Sequence, residues 1–208
     1  MPDFAAERKL GHHQGRIVVG LDEAGRGPLA GPVVAAAVWL EPTRCSRWLR
    51  RTLDDSKLVA LEVREQLYGA IVQEAGWAVG VASVAEIDEI NILWASMLAM
   101  ERAYAGLGLV ADHALIDGDR RPRNLPCDST AVVGGDALSL SIAAASIVAK
   151  VTRDRLMDGL SESHPGYGWE RNRGYGTAEH RAALLHLGVT TEHRRSYAPV
   201  RARLALTG

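Results

Sequence analysis

Apolar residues in this chain fall in short blocks that end on acids or glycines, and the rhythm of those blocks predicts alternating strands and helices. The run Ile17 to Leu21 stops abruptly at Asp22 and Glu23, a glycine-bracketed arginine follows, and Pro32 leads into a second run, Val33 to Leu40. β-Branched residues bounded by Gly and Pro read as strand, turn, strand. Two carboxylates are thereby parked at a strand end.

Helical spacing appears next. Val63, Leu67, Ala70 and Ile71 share one face of a helix that ends before Gly76, and Trp77 to Ala82 reads as a third strand. Ser83 and Glu86 have capping-box spacing ahead of a helix whose stripe is Leu93, Met97, Met100 and Tyr104, stopping at Gly106. Asn91 near its start reads equally as a ligand contact or as a helix-end hydrogen bonder. His113 to Ile116 is a short strand that stops at Asp117, and Ala131 to Val133 is another, handing over through Gly134-Gly135 to Asp136. From Leu138 the spacing Leu138, Ile142, Ala145, Ala149, Thr152, Leu156 is helical, and Ala143 to Ser146 make one side thin enough to pack close to a sheet. Lys150 and Asp154, four apart, are spaced as an ion pair. Beyond His164-Pro165-Gly166, Tyr167, Trp169 and Tyr175 alternate with Arg171 and Arg173, a texture that suits either nucleic acid or a groove-filling cover. Thr177 caps a last helix over about Ala178 to Leu187. Residues 1–15 are polar and read as a frayed terminus.

Composition narrows the class. At 208 residues and 47% hydrophobic content the chain fits one domain with a small appendage. No apolar run approaches the roughly 20 residues that span a bilayer, and the first residues lack a signal-peptide centre, so a soluble, cytoplasmic protein without a membrane partner is expected. Cys45 and Cys127 stand far apart and outside any CxxC pattern, which supports neither a disulfide framework nor a zinc site. The net charge of -1 is uninformative, but from Lys150 onward ten Lys and Arg face six Asp and Glu, a net of +4 that leaves -5 for residues 1–149. That split suits an acidic centre beside a basic surface.

Gly25, Gly27 and Gly31 lack the GxGxxG spacing, and no helix start follows them, so a dinucleotide site is rejected. What remains at Gly25, Arg26 and Gly27 is a turn whose backbone either approaches a ligand or serves a plain hairpin. Asp22, Glu23, Asp117 and Asp136 come from separate elements that a three-layer α/β fold would gather at one crevice. Crowded bare carboxylates repel, and all-oxygen ligation favours Mg²⁺ or Mn²⁺ over zinc. Two such ions about 4 Å apart support phosphodiester hydrolysis.

The segments GLDEAGRGPLAGPVV, DDSK, EIDEINIL, LIDGD, GGDALSLSIAAASIVAKVTRD and NRGYGT resemble, in order and spacing, the motifs of bacterial ribonuclease HII, from Ile17 to Tyr197. The resemblance implies a ribonuclease H-like three-layer α/β fold with a mixed five-stranded sheet over residues 16–160, plus a helical C-terminal extension over 161–208 that walls a substrate groove. It implies metal binding and catalysis by Asp22, Glu23, Asp117 and Asp136, with Mg²⁺ or Mn²⁺ as cofactor. It implies recognition of a ribonucleotide 2′-OH by the backbone of Gly25, Arg26 and Gly27, and stacking of Tyr175 on the following deoxyribose. Lys57, from the DSK segment, and Asn91, Ser146, Lys150 and the Arg120 to Arg123 loop are further candidates for substrate contact. The implied reaction is hydrolysis of the RNA strand of an RNA/DNA hybrid, or incision 5′ of a single ribonucleotide in duplex DNA, by a monomer. Ribonuclease HIII, with its usual extra N-terminal domain and last-acid glutamate, and a non-catalytic hybrid binder on the same fold are the alternatives.

Overall fold

In a computed structural model, residues 1–53 and 59–206 are described. The elements run α1 (Ala5–Lys9), β1 (Val18–Ala24), β2 (Val33–Trp39), α2 (Arg47–Thr52), α3 (Leu61–Glu74), β3 (Gly76–Ala82), α4 (Val84–Gly106), β4 (His113–Asp117), β5 (Asp128–Val132), α5 (Leu140–Ser163), α6 (Trp169–Asn172), α7 (Ala178–Leu187) and α8 (Ala198–Leu204). The five strands form one mixed sheet in the order β3-β2-β1-β4-β5. β1 pairs antiparallel with β2 and parallel with β4, and β4 pairs parallel with β5.

Strand alternation sorts the core into two layers. From β2, Ala36 and Val38 join α2, α3 and α5 on one face, while Val33, Ala35 and Ala37 join α4 on the other. Along β1, Val18 meets Ile142 of α5, and Val19 and Leu21 face α4. The thin side of α5 lies where its alanines predict. A Cβ built on Gly20 would come 2.2 Å from the backbone carbon of Ser141, so helix and strand are in direct main-chain contact.

Three departures from the sequence reading have physical causes. Residues 1–15 are not frayed. Asp3 bridges to Ser139, the buried Glu7 carboxylate accepts from the Ser139 hydroxyl (2.6 Å) and the Ser141 N–H (3.0 Å), and the His12 ring meets Leu40 O at 2.8 Å. These partners lie over a hundred positions away or across the sheet, where a local reading does not reach. β5 begins at Asp128 rather than at Ala131, because a half-exposed edge strand needs no apolar run. Finally, α4 is broken at Asn91, whose φ of 64° is left-handed. The capping box of Ser83 and Glu86 stands as predicted, with the Ser83 N–H on Glu86 Oε2 at 2.8 Å.

The C-terminal helices pack over the turn between β1 and β2, with Trp169, Tyr167, Ala183 and Met157 enclosing Ala30. Two buried histidines sit inside this layer. His180 gives its Nδ1 proton to Tyr175 O (2.9 Å), which leaves Nε2 to accept from Trp169 Nε1 (3.1 Å) and from His193 Nε2 (3.1 Å). His193 Nδ1 then accepts from the Thr190 N–H at 3.0 Å. Both rings must be neutral for this chain of bonds. Burial, reinforced by His180 and His164 alongside, pulls His193 down to about 3. An unfolded histidine takes its proton below about 6.5, so the stability it confers is full above that pH and is lost as pH falls toward 3. Thermal stability of the protein should therefore fall between about pH 6.5 and 3 more steeply than that of His193→Gln; parallel profiles would refute this.

Candidate active site

The site is built where β1 and β4 end. Their parallel register aligns Leu21 with Ile116, so the next pair in step is Asp22 and Asp117, on neighbouring strands about 4.8 Å apart. Parity decides the rest. Val18 and Leu115 face α5, and Asp22 and Asp117, an even number of residues further on, share that face. Glu23, one step on, leaves its strand on the opposite side, where Oε1 accepts from Arg26 Nη1 at 3.2 Å. Asp136 enters from the 3-10 turn Gly135–Ala137. Its neighbour Gly135 donates its N–H to Asp117 Oδ1 at 2.7 Å, which ties the two acidic segments together.

Asp22 and Asp136 are buried. Burial pushes the Asp22 carboxyl well above its ordinary range, and the charges of Glu23, Asp117 and Asp136 push it further; the Glu23 N–H, 2.6 Å from Asp22 Oδ1, opposes them. Asp22 therefore feels all three of the other predicted acids. Among the described residues, however, no three His, Cys, Asp or Glu side chains are closed into a ready-made metal cage. Bare carboxylates repel, and Asp22, Glu23 and Asp117 each turn an oxygen to an internal donor. The donor set itself, all oxygen and charge-excessive in a buried place, fits a hard divalent cation.

A cavity of about 340 Å³ opens beside Asp22, Glu23 and Asp117, with Asp136 not among its lining residues. Asp22, Glu23, Gly25, Arg26, Gly27, Asp117, Ser146, Lys150 and Tyr175 line it, so nine of the predicted positions converge, joined by Ala24 and Arg153. Lys150 holds Asp154 at 2.6 Å, as its spacing predicts, yet it also borders the cavity; burial lowers its pKa and the Asp154 bond partly restores it. Ser146 is buried on the same face of α5. Tyr175 is half-exposed, its ring beside Gly27. Asn91 is not among the lining residues: its Oδ1 accepts from the Leu93 and Trp94 N–H groups at 3.0 and 3.3 Å, capping the second half of α4. Lys57 lies outside the described residues. The Arg120 to Arg123 loop lines a separate cavity of about 620 Å³, in which Arg123 stacks 3.9 Å above the Trp94 ring.

Two residues that the sequence reading missed are Arg153 and Arg194, both buried. Arg153 donates to Ala30 O (3.2 Å), Pro32 O (3.1 Å) and Arg173 O (3.0 Å). Its one sequence signal is a position on the buried stripe of α5, between Lys150 and Met157. Arg194 donates to the carbonyls of Gly25, Arg26 and Gly31. Nothing in its spacing separates it from exposed Arg195.

Comparison with known proteins agrees with this geometry. The family model described as Ribonuclease HII matches residues 19–200. A ribonuclease HII of Paramagnetospirillum magneticum is 58% identical over 200 residues, 96% of this chain and 97% of its own length. One from Rhodospirillum rubrum is 58% identical over 207 residues, covering 99% of this chain and 93% of the relative. The crystal structure of ribonuclease H2 from Pyrococcus horikoshii superimposes with a TM-score of 0.75 at 25% identity, over 91% of this chain and 98% of that one. With the match running from β1 to α8 and the mixed sheet shared, the chain belongs to the ribonuclease HII family.

Proposed function

We propose that the chain is an endonuclease that hydrolyses the RNA strand of RNA/DNA hybrids and incises 5′ of single ribonucleotides embedded in duplex DNA, leaving 3′-hydroxyl and 5′-phosphate ends. Membership of the family makes it a nuclease, a phosphodiester hydrolase. The observation that supports the finer reading is that Asp22, Glu23 and Asp117 line one cavity with the Gly25–Gly27 turn and the Tyr175 ring. Among the described residues no helix is long and apolar enough to cross a membrane.

Asp22, Asp117, Asp136 and Glu23 would hold Mg²⁺ or Mn²⁺, which when bound supplies an activated water and charge stabilisation at the leaving oxygen. The chain's own residues do the selecting. The turn at Gly25 and Gly27 has no side chain to hold a ribose away, so backbone donors reach its 2′-oxygen, the one group that separates RNA from DNA. Tyr175 offers a half-exposed face to the adjoining sugar. Lys150 and Arg26 border the acids and offset phosphate charge at the groove mouth. Residues 161–206 supply the wall that carries Tyr175, and the chain works as a monomer in the cytoplasm.

Purified protein given Mg²⁺ or Mn²⁺ should cut a DNA duplex bearing one ribonucleotide on the 5′ side of that residue, and EDTA should stop it. Tyr175→Ala should lower kcat/KM about tenfold, in line with the loss of one stacking contact. No cutting by the intact protein with either metal, or cuts on the 3′ side, would end this reading.

A further inference from the structure

The turn proposed to sense the 2′-oxygen is held from behind. Arg194 is wholly buried, and its guanidinium reaches Gly25 O at 2.6 Å, Arg26 O at 2.9 Å, and Gly31 O at 2.8 and 3.0 Å. The Tyr197 hydroxyl accepts from Arg194 Nη1 at 3.1 Å and itself donates to Arg26 O at 2.5 Å. A buried guanidinium is tolerated only when its donors are satisfied, and here backbone carbonyls satisfy them. The grip is anchored to α4, because Asp88 accepts from the Arg195 N–H (2.9 Å), the Ser196 N–H (2.9 Å) and the Ser196 hydroxyl (2.5 Å).

Peptide geometry turns this grip into a statement about recognition. In a planar trans peptide the C=O and the following N–H point in opposite directions. Capturing Gly25 O therefore aims the Arg26 N–H away from Arg194, and capturing Arg26 O does the same for the Gly27 N–H. Among the described residues neither N–H has an internal acceptor. Both residues line the cavity shared with Asp22 and Tyr175.

We propose that Arg194, together with Tyr197, is a positioning residue for ribose recognition: by gripping the Gly25 and Arg26 carbonyls it turns the Arg26 and Gly27 N–H groups toward the substrate's 2′-oxygen. The inference rests on the ribonuclease function proposed above. It differs from the role of Arg153, whose bonds go to Ala30, Pro32 and Arg173 and support the far end of the turn. The planar fork of Arg matters, since a lysine ammonium has three donors from one point and cannot span carbonyls of residues 25, 26 and 31 together.

The test is binding of the full-length protein, in EDTA so that nothing is cut, to two labelled DNA duplexes that differ by one 2′-oxygen. The wild type should prefer the ribonucleotide duplex. Tyr197→Phe and Arg194→Lys should each reduce that preference, Tyr197→Phe by about fivefold and Arg194→Lys by more, while affinity for the all-DNA duplex stays unchanged. General loosening of the fold would weaken both duplexes together and leave the ratio intact; that result, or an unchanged preference in Tyr197→Phe, overturns the proposal. Should Arg194→Lys fail to fold, Tyr197→Phe decides alone, its loss being one hydroxyl. A wild type without any preference refutes the parent reading and this inference with it, whereas a normal wild type with indifferent variants refutes only this inference.

Discussion

Asp22→Asn should remove at least about a hundredfold of the cleavage activity and, in the absence of metal, raise the unfolding temperature. A partner that merely orients a metal ligand is worth 10- to 100-fold, and a proposed ligand itself exceeds that. The stability gain has a separate cause. Burial, then Glu23, Asp117 and Asp136, raise the Asp22 carboxyl above its unfolded value, so the stability of its protonated form is fully present below about pH 4 and is lost as pH rises through the folded value. Asparagine mimics the uncharged form and can still accept the Glu23 N–H. At pH 7 the variant should therefore melt higher than the metal-free wild type, and the two should converge near pH 4. Added Mg²⁺ should stabilise the wild type and do little for the variant. Equal activity in the two proteins would remove Asp22 from the site; equal melting at pH 7 would show that the acids do not repel there.

Gly20→Ala is expected to damage the fold severely for so conservative a change. Gly20 pairs with Leu115 at the centre of the sheet, and its missing side chain is where α5 rests on β1. A methyl group 2.2 Å from the Ser141 backbone carbon and 2.4 Å from the Ile142 nitrogen cannot be accommodated by a rotamer change, because both neighbours are main chain. The helix must move, and Ser146 and Lys150 move with it. Overpacking of this kind costs about 3 kcal/mol, or roughly 6–12 °C in a domain of this size. Thermal denaturation measures the cost, and a shift below about 2 °C would mean that α5 is not seated on the strand as described.

Much of this architecture was legible from local pattern. The strand-end acids announced themselves because apolar runs stop at Asp22 and Asp117, and the alanines of α5 foretold its close approach to β1. Glycine-bracketed turns and the capping box also carry their geometry in adjacent residues. What stayed hidden was set by long-range partners. Glu7 docks the N-terminus by bonding Ser139 and Ser141, and Arg194 shapes a turn near the other end of the chain. Asn91, read equally as a ligand contact and a helix-end hydrogen bonder, caps the second half of α4, and the break it creates there was not visible, since the apolar stripe continues across it.

The bond from Arg194 to Gly25 O joins positions 169 apart. A ribosome adding about 5–20 residues per second needs roughly ten to thirty seconds to travel that distance. During that interval the nascent chain already has Asp22 and Glu23 but lacks the guanidinium that holds the Gly25 and Arg26 carbonyls. If that turn reads the sugar as proposed, its selectivity is set only after residue 194 has been made, 169 positions beyond the turn itself.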